Sequence, residues 1–354
     1  MTIRIGLILE PLDVLFFRDG RPFEAGIRVG GQAIVPQTLA GALRTALLDR
    51  AGCDFDALGA AVQGSASFAG ALAAQSPELA MIAEVSACGP WFYRKDEPLL
   101  PVPADLMRAQ DGSLARLKPL RGVLPGWLPE EPGLLPLWIR SHARYERASG
   151  FLTITGIARY LEGDVPKSGE IVGFDKLAVK DSRVGVVIRS DSMTTERSLI
   201  YAAEYLALTP GVRLYAELAG PEPVLENAFV AETAIPLGGQ SRYVRVWQRV
   251  PVDWPTATSG GEGRLILLTA PAPFSAGWRP EGLDLVAATV PGHVAFSGWD
   301  LARRGPKPTR FAAAAGSVYF CRDFPEVGDR TSLCDVEDAA LGWGSFLEGV
   351  WDYA

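Results

Sequence analysis

An α+β fold with two ferredoxin-like domains in tandem is what this sequence predicts, the first domain carrying a long irregular insertion. Three observations lead there. The 38 glycines and 27 prolines are spread along the chain, which favours many turns and short strands over a helix bundle. At 354 residues, 48% hydrophobic and 21% charged, the chain exceeds one average domain and has the composition of a globular protein with a sizeable core. Finally, the order strand, helix, two strands, helix, strand can be drawn once before and once after a proline- and glycine-rich linker, PVDWPTATSGGEG, ending at Gly263. The domains are then 1–252, with the insertion at about 59–180, and 253–354.

Taken in order, Ile3–Phe17 is β-rich and broken only by Pro11, so it reads as the first strand. The turn RDGRPF and a glycine-rich loop follow. Thr38 is a reasonable N-cap for a helix that has Leu39, Ala42, Leu43, Ala46 and Leu47 on one face and ends at Gly52. From Gly59 to Gly150 the pattern is irregular, and a short helix is expected at Leu152–Leu161. Val184–Arg189 and Ser198–Ala207 form a hairpin whose tip is SDSMTTE, and Val212–Leu218 continues its second arm. Glu222–Ile235 reads as a helix, and Gly238–Val250 as a strand behind a double-glycine loop. After the linker come strands at Leu265–Thr269, Val286–Ser297 and Ser317–Cys321, and a short helix at Val336–Leu341.

Several chemistries are excluded by what is missing. There is no GxxxxGK[ST] loop, no complete GxGxxG, no HExxH, no His–Asp doublet and no GxSxG elbow. The four cysteines form no CxxC pair and there are only two histidines, so a Cys/His zinc site is not expected and neither is any other metal or cofactor. Without paired cysteines or a signal peptide, a reducing cytoplasm is the expected compartment. No apolar run approaches the ~20 residues needed to span a bilayer.

A net charge of −7 argues against a general nucleic-acid binder but leaves room for a local basic track. Three such tracks exist: Arg140–Arg147, Arg242–Arg249 and Arg303–Arg310. Tyr145, Tyr243, Trp247 and Trp299 lie in or beside them. Arginines hold phosphates and aromatics stack unpaired bases, although a solvated strand face over packed aromatics would look the same. His142 sits among arginines where a general base could meet a phosphodiester, and His293 lies in a strand turn. The carboxylates Asp335, Glu337 and Asp338 suit a helix N-terminus.

Read together, PLDVLFFRDGRPF (11–23), VPQTLAGALRTALL (35–48), the 183–206 hairpin, PLGGQSRYVRV (236–246) and SGWDLARRGPKPTRFAAAAGSVYF (297–320) resemble the RAMP superfamily of CRISPR proteins. Within it the chain is similar to the subunit of type III-B (Cmr) effector complexes that holds the 5′ handle of the crRNA. The resemblance implies two ferredoxin-like (RRM-like) RAMP domains, no catalytic residues, and a non-enzymatic RNA-binding role in antiviral defence. It implies contacts with the large palm-domain subunit and with backbone RAMP subunits, and none with a membrane. Carried onto this chain, the RNA-binding candidates are Arg18, Arg21, Thr38, Arg44, Gly238, Gly239, Arg242, Arg303, Arg304, Lys307, Arg310 and Gly316. Ala314 departs from the family, which usually has proline there. Two other readings compete: a metal-independent RAMP endoribonuclease cutting CRISPR precursor RNA with His142 or His293 as base, and a scaffold whose basic clusters meet an acidic protein.

Overall fold

The computed structural model describes residues 1–17, 28–29, 34–122, 124–129, 131–188, 195–257, 260–300, 305–322 and 331–354. Strand β1 spans Thr2–Pro11 and stops at the proline, which has no N–H to donate, so it is shorter than expected. Helix α1 is Pro36–Arg50. Its N-cap is Val35, with no side-chain cap bond, and Thr38 lies inside the first turn. Proline at the first helical position already has a helical φ and leaves one fewer donor to satisfy, so no hydroxyl cap is required. Gly52, at φ 72°, follows the helix as expected.

The segment read as irregular contains three helices, α2 Phe55–Gln63, α3 Phe68–Ala73 and α4 Pro77–Ala83. Each starts at a side-chain cap: Asp54, Ser67 and Ser76 accept from backbone N–H groups of their first turns. Strand β2, Ser86–Arg94, alternates strictly in burial, with Ala87, Trp91 and Tyr93 buried. Next come β3 Glu97–Pro101, β4 Leu106–Ala109, β5 Leu114–Arg116, β6 Phe151–Leu152 and α5 Ile154–Leu161.

The hairpin is longer than read, pairing β7 Ala178–Ile188 with β8 Thr195–Leu208, and its tip lies outside the described residues. Strand β9, Val212–Pro221, does not extend that hairpin; it pairs with β1, Leu7 facing Ala216. The predicted helix over Glu222–Ile235 is cut to α6, Glu222–Leu225, and Phe229 adopts φ 58°. A left-handed bulky residue cannot continue a helix. Thr233–Pro236 is instead strand β10, and β11 is Tyr243–Arg249.

Beyond the linker stand β12 Gly263–Leu268, β13 Leu285–Thr289, β14 Val318–Cys321, α7 Val336–Ala340 and β15 Phe346–Trp351, the last not expected from the sequence. The predicted strand Val286–Ser297 is interrupted, resuming only at His293–Phe296. Asp335 caps α7 through the Asp338 N–H, the helix-terminal role read for this acidic cluster.

The chain forms two compact units: 1–90, 177–251 and 295–310; and 91–176, 252–294 and 311–354. The first has the strand order β10, β11, β1, β9 and then β2 through its residues 86–90, with β1 antiparallel to both neighbours and its Leu7 and Leu9 fully buried. In the second, β13, β14, β12 and β15 form an antiparallel sheet whose Leu265, Ile266, Tyr319 and Phe320 are buried. Helix α5 lies against β15, where a Cβ on Gly349 would come within 2.8 Å of the Leu161 carbonyl. The mixed, largely antiparallel architecture is the α+β class read from the sequence. Among the described residues, no helix is long and apolar enough to cross a membrane.

Candidate nucleic-acid interface

In the first unit the chain leaves β1 at Pro11 and runs on past the sheet. Leu15 exchanges backbone hydrogen bonds with Leu206 of β8, and Val14 and Phe16 bury themselves against Ala203 and Tyr205. This small apolar cluster fixes the approach to residues 18–27, which lie outside the described residues.

The double-glycine turn closes on that segment. The Gly239 N–H donates to the Phe16 carbonyl at 2.9 Å. Gly238 has φ 85°, and a Cβ there would lie 2.5 Å from the same oxygen, so a side chain is both strained and blocked. At Gly239 a Cβ would meet the Phe16 ring at 2.9 Å. Gln240 and Ser241 follow at φ 55° and 50°, both left-handed, and the Leu237 N–H closes the turn on the Arg242 carbonyl at 2.8 Å. Glycine therefore serves a close backbone approach here, and the turn is held in one shape.

Arg242 is positioned by a carboxylate and by an aromatic ring that it shares with Arg183. Its Nη1 donates to the Asp13 carboxylate, its guanidinium lies 5.1 Å from the Tyr205 ring centroid, and Arg183 lies 4.8 Å from the same centroid. Tyr205 in turn packs on Phe16 and donates its hydroxyl to Gln240 Oε1. The Val14 backbone N–H, reinforced by the charges of Arg242 and Arg183, holds the Asp13 carboxyl below its usual range. Further along β11, Arg245 is paired with both Glu10 and Glu232.

The basic C-terminal loop is anchored near the start of α1. Gln37 Nε2 donates to the Ser297 carbonyl at 2.7 Å, the Lys307 N–H to the Gly298 carbonyl at 2.7 Å, and Ser297 Oγ to the Lys307 carbonyl at 2.7 Å. Lys307 and Arg310 are exposed, and Arg310 lies over the Phe296 ring. Among the described residues the Lys307 ammonium has no carboxylate partner.

The structure thus brings Gly238, Gly239 and Arg242 together in one turn, and ties Lys307 to the first turn of α1, where Thr38 lies half-buried. Arg44 faces inward: its guanidinium donates to the Val85 carbonyl at 2.8 Å and lies over Phe68, and burial lowers its pKa. Gly316 belongs to the second unit, where a Cβ would come within 2.7 Å of the Val102 carbonyl. Ala314 donates its N–H to the Gly292 carbonyl at 3.1 Å, a bond that proline cannot make. Arg18, Arg21, Arg303 and Arg304 lie outside the described residues. Sequence reasoning passed over Asp13, Tyr205 and Gln37. Only Asp13 had a visible signal, as a charge set between apolar residues in PLDVLFF.

The second unit holds a buried counterpart. Asp105 accepts from the Tyr160 hydroxyl at 2.7 Å and pairs with Arg116 Nε at 3.3 Å, while Arg116 Nη1 donates to the Tyr160 carbonyl at 2.9 Å near the end of α5. Burial pushes the Asp105 carboxyl up, against the pull of Arg116. The Tyr160 hydroxyl is driven well above its usual range by the same burial, so it remains a donor.

Comparison with known proteins gives one family. The family model for CRISPR-associated protein (Cas_Cmr3) matches residues 7–351. A chain in the cryo-EM structure of the Type III-B Cmr-beta bound to cognate target RNA and AMPPnP, state 1, is similar in fold at a TM-score of 0.51, with 16% identity over 89% of this chain and 86% of that one. A chain of the Csm3-Csm4 subcomplex in the type III-A CRISPR-Cas interference complex aligns at a TM-score of 0.44, with 12% identity over 89% of this chain and 92% of that one. No curated protein matches.

Proposed function

This chain belongs to the Cas_Cmr3 family of CRISPR-associated proteins, a type III RAMP-like subunit, and from that premise we propose that it anchors the 5′ handle of the crRNA in a type III-B effector complex. The observation that carries the reading is the turn Gly238–Arg242. It combines close backbone approach at Gly238, an arginine set over an aromatic ring, and a shape fixed by Phe16 and Tyr205. Phosphates would be held by Arg242, by Lys307 and by the exposed backbone of the turn, with splayed bases stacking on aromatic side chains. Net acidity fits a subunit that receives its RNA within an assembly and does not capture it at long range.

The same reading gives the protein no catalytic step, a cytoplasmic location, and docking to the large palm-domain subunit and the backbone subunits. It also treats both units as ferredoxin-like. Strand order supports this: β11, β1, β9, β2 in the first unit and β15, β12, β14, β13 in the second each place the chain's strands in the order fourth, first, third, second. The first crossover of the second unit carries no helix between β12 and β13.

Binding of handle RNA to the reconstituted complex tests the function. Each arginine–phosphate contact removed should cost about 1–3 kcal/mol. The variant with Arg303, Arg304 and Lys307 all changed to alanine should bind the handle far more weakly, and unchanged affinity would count against the proposal.

A further inference from the structure

Arg242 is already occupied. Its Nη1 is taken by Asp13, whereas its buried Nε has no hydrogen-bond partner among the described residues. The two ends of this pair differ in burial: the Arg242 side chain is 21% exposed and the Asp13 side chain 57%. An ion pair this open contributes little, because water solvates the released carboxylate almost as well as the guanidinium does. It is therefore exchangeable. A phosphate arriving at Arg242 replaces one anion by another, leaving the cation paired throughout, but must first overcome the repulsion of a carboxylate that stays ionised. Arg245, three residues further along the chain and within β11, is bound by two carboxylates and so is neutralised more completely. Of these two arginines, Arg242 is the one poised for exchange.

We propose that Asp13 is a competing anion built into the RNA face, occupying Arg242 in the free protein and displaced by a phosphate of bound single-stranded RNA. It thereby sets how far the site resists non-cognate polyanions, which make too few other contacts to displace it. The inference rests on the reading that the Gly238–Arg242 turn meets RNA.

The test is fluorescence anisotropy of a labelled short single-stranded RNA carrying the guide's 5′ segment, and of an oligouridine control, titrated with the full chain over a range of KCl. Asp13→Asn should tighten binding by about two- to five-fold, the range expected for removing one exposed ion pair. The slope of log affinity against log salt should steepen by up to about 0.7, as for one additional neutralised phosphate on a single strand. The gain should be larger for oligouridine than for the guide segment and should vanish when Arg242→Ala is added. Asp13→Glu, which keeps the charge, should bind like the parent, and Asp13→Ser can replace Asp13→Asn if the latter melts early. If Arg242→Ala weakens binding while Asp13→Asn does not strengthen it, the competing-anion proposal fails and the RNA face stands. If Arg242→Ala binds as well as the parent, the underlying reading fails with it.

Discussion

Asp105–Arg116–Tyr160 in the second unit and Asp13–Arg242–Tyr205 in the first use the same three residue types in opposite ways. In both, a carboxylate pairs with an arginine whose guanidinium lies over a tyrosine ring, at 3.9 Å from the centroid for Arg116 and 5.1 Å for Arg242. The side chains of Asp105 and Arg116 are 0% and 3% exposed, those of Asp13 and Arg242 57% and 21%. Burial turns the first set into a lock between β5 and the end of α5, since neither charge can be left alone in the interior. Exposure leaves the second set open to exchange with another anion. The difference teaches that composition alone does not mark a binding arginine; what marks it is how cheaply its present partner can leave.

The comparison predicts its largest effect at the lock. Arg116→Met should lower the unfolding free energy by about 3–5 kcal/mol in urea titrations, while changing Asp105 and Arg116 together to leucine and methionine should recover most of the loss. A pH series sharpens this. With its folded pKa raised above the unfolded value, Asp105 costs least when protonated, so stability declines as pH rises from the unfolded carboxyl range toward the folded pKa. The Arg116→Met deficit should therefore shrink as pH falls from neutrality toward the unfolded carboxyl range, and a constant deficit would contradict the assignment.

Next in size is the glycine turn. Gly238→Ala should cost about 2 kcal/mol, from a left-handed alanine and a contact with the Phe16 carbonyl, and should weaken RNA binding with it. Smaller again is the effect of Arg242→Ala on folding, below about 0.5 kcal/mol in thermal melts, even though its loss should weaken RNA binding about ten-fold or more. A large drop in melting temperature would make Arg242 structural, like Arg116. The least effect is expected on the acid limb. Asp13, with its folded pKa depressed, stabilises above the unfolded carboxyl range and loses that contribution as pH falls through the folded value. Asp13→Asn should flatten that limb of the melting profile slightly.

Much of the architecture was readable because its signals are local. Gly52 ended α1, the β-rich runs Val184–Arg189 and Ser198–Ala207 marked the inner part of the Ala178–Leu208 hairpin, and Asp335 marked the start of α7. The helices over 55–83 were missed because alanine-rich stretches show little periodicity, although Asp54, Ser67 and Ser76 signalled their starts. Partners of strands were harder. Val212–Pro221 follows the hairpin in sequence, but pairs with β1 some two hundred residues earlier, a choice made by the whole sheet. The candidate site was legible in Gly238, Gly239 and Arg242, whose types declare close approach and anion binding. Arg44 looked equivalent in sequence, and only the fold turns it toward the Val85 carbonyl. Asp13 and Tyr205 reach Arg242 from distant parts of the chain, so nothing local could have joined them.

UV crosslinking with mass spectrometry, on the effector complex purified with this chain and loaded with guide RNA, tests the central claim most directly. The account predicts crosslinks from handle nucleotides to peptides spanning 12–23, 236–247 and 297–316. Crosslinks abundant on neighbouring subunits and absent from this chain would contradict it, and would make the protein a scaffold whose basic loop meets another protein.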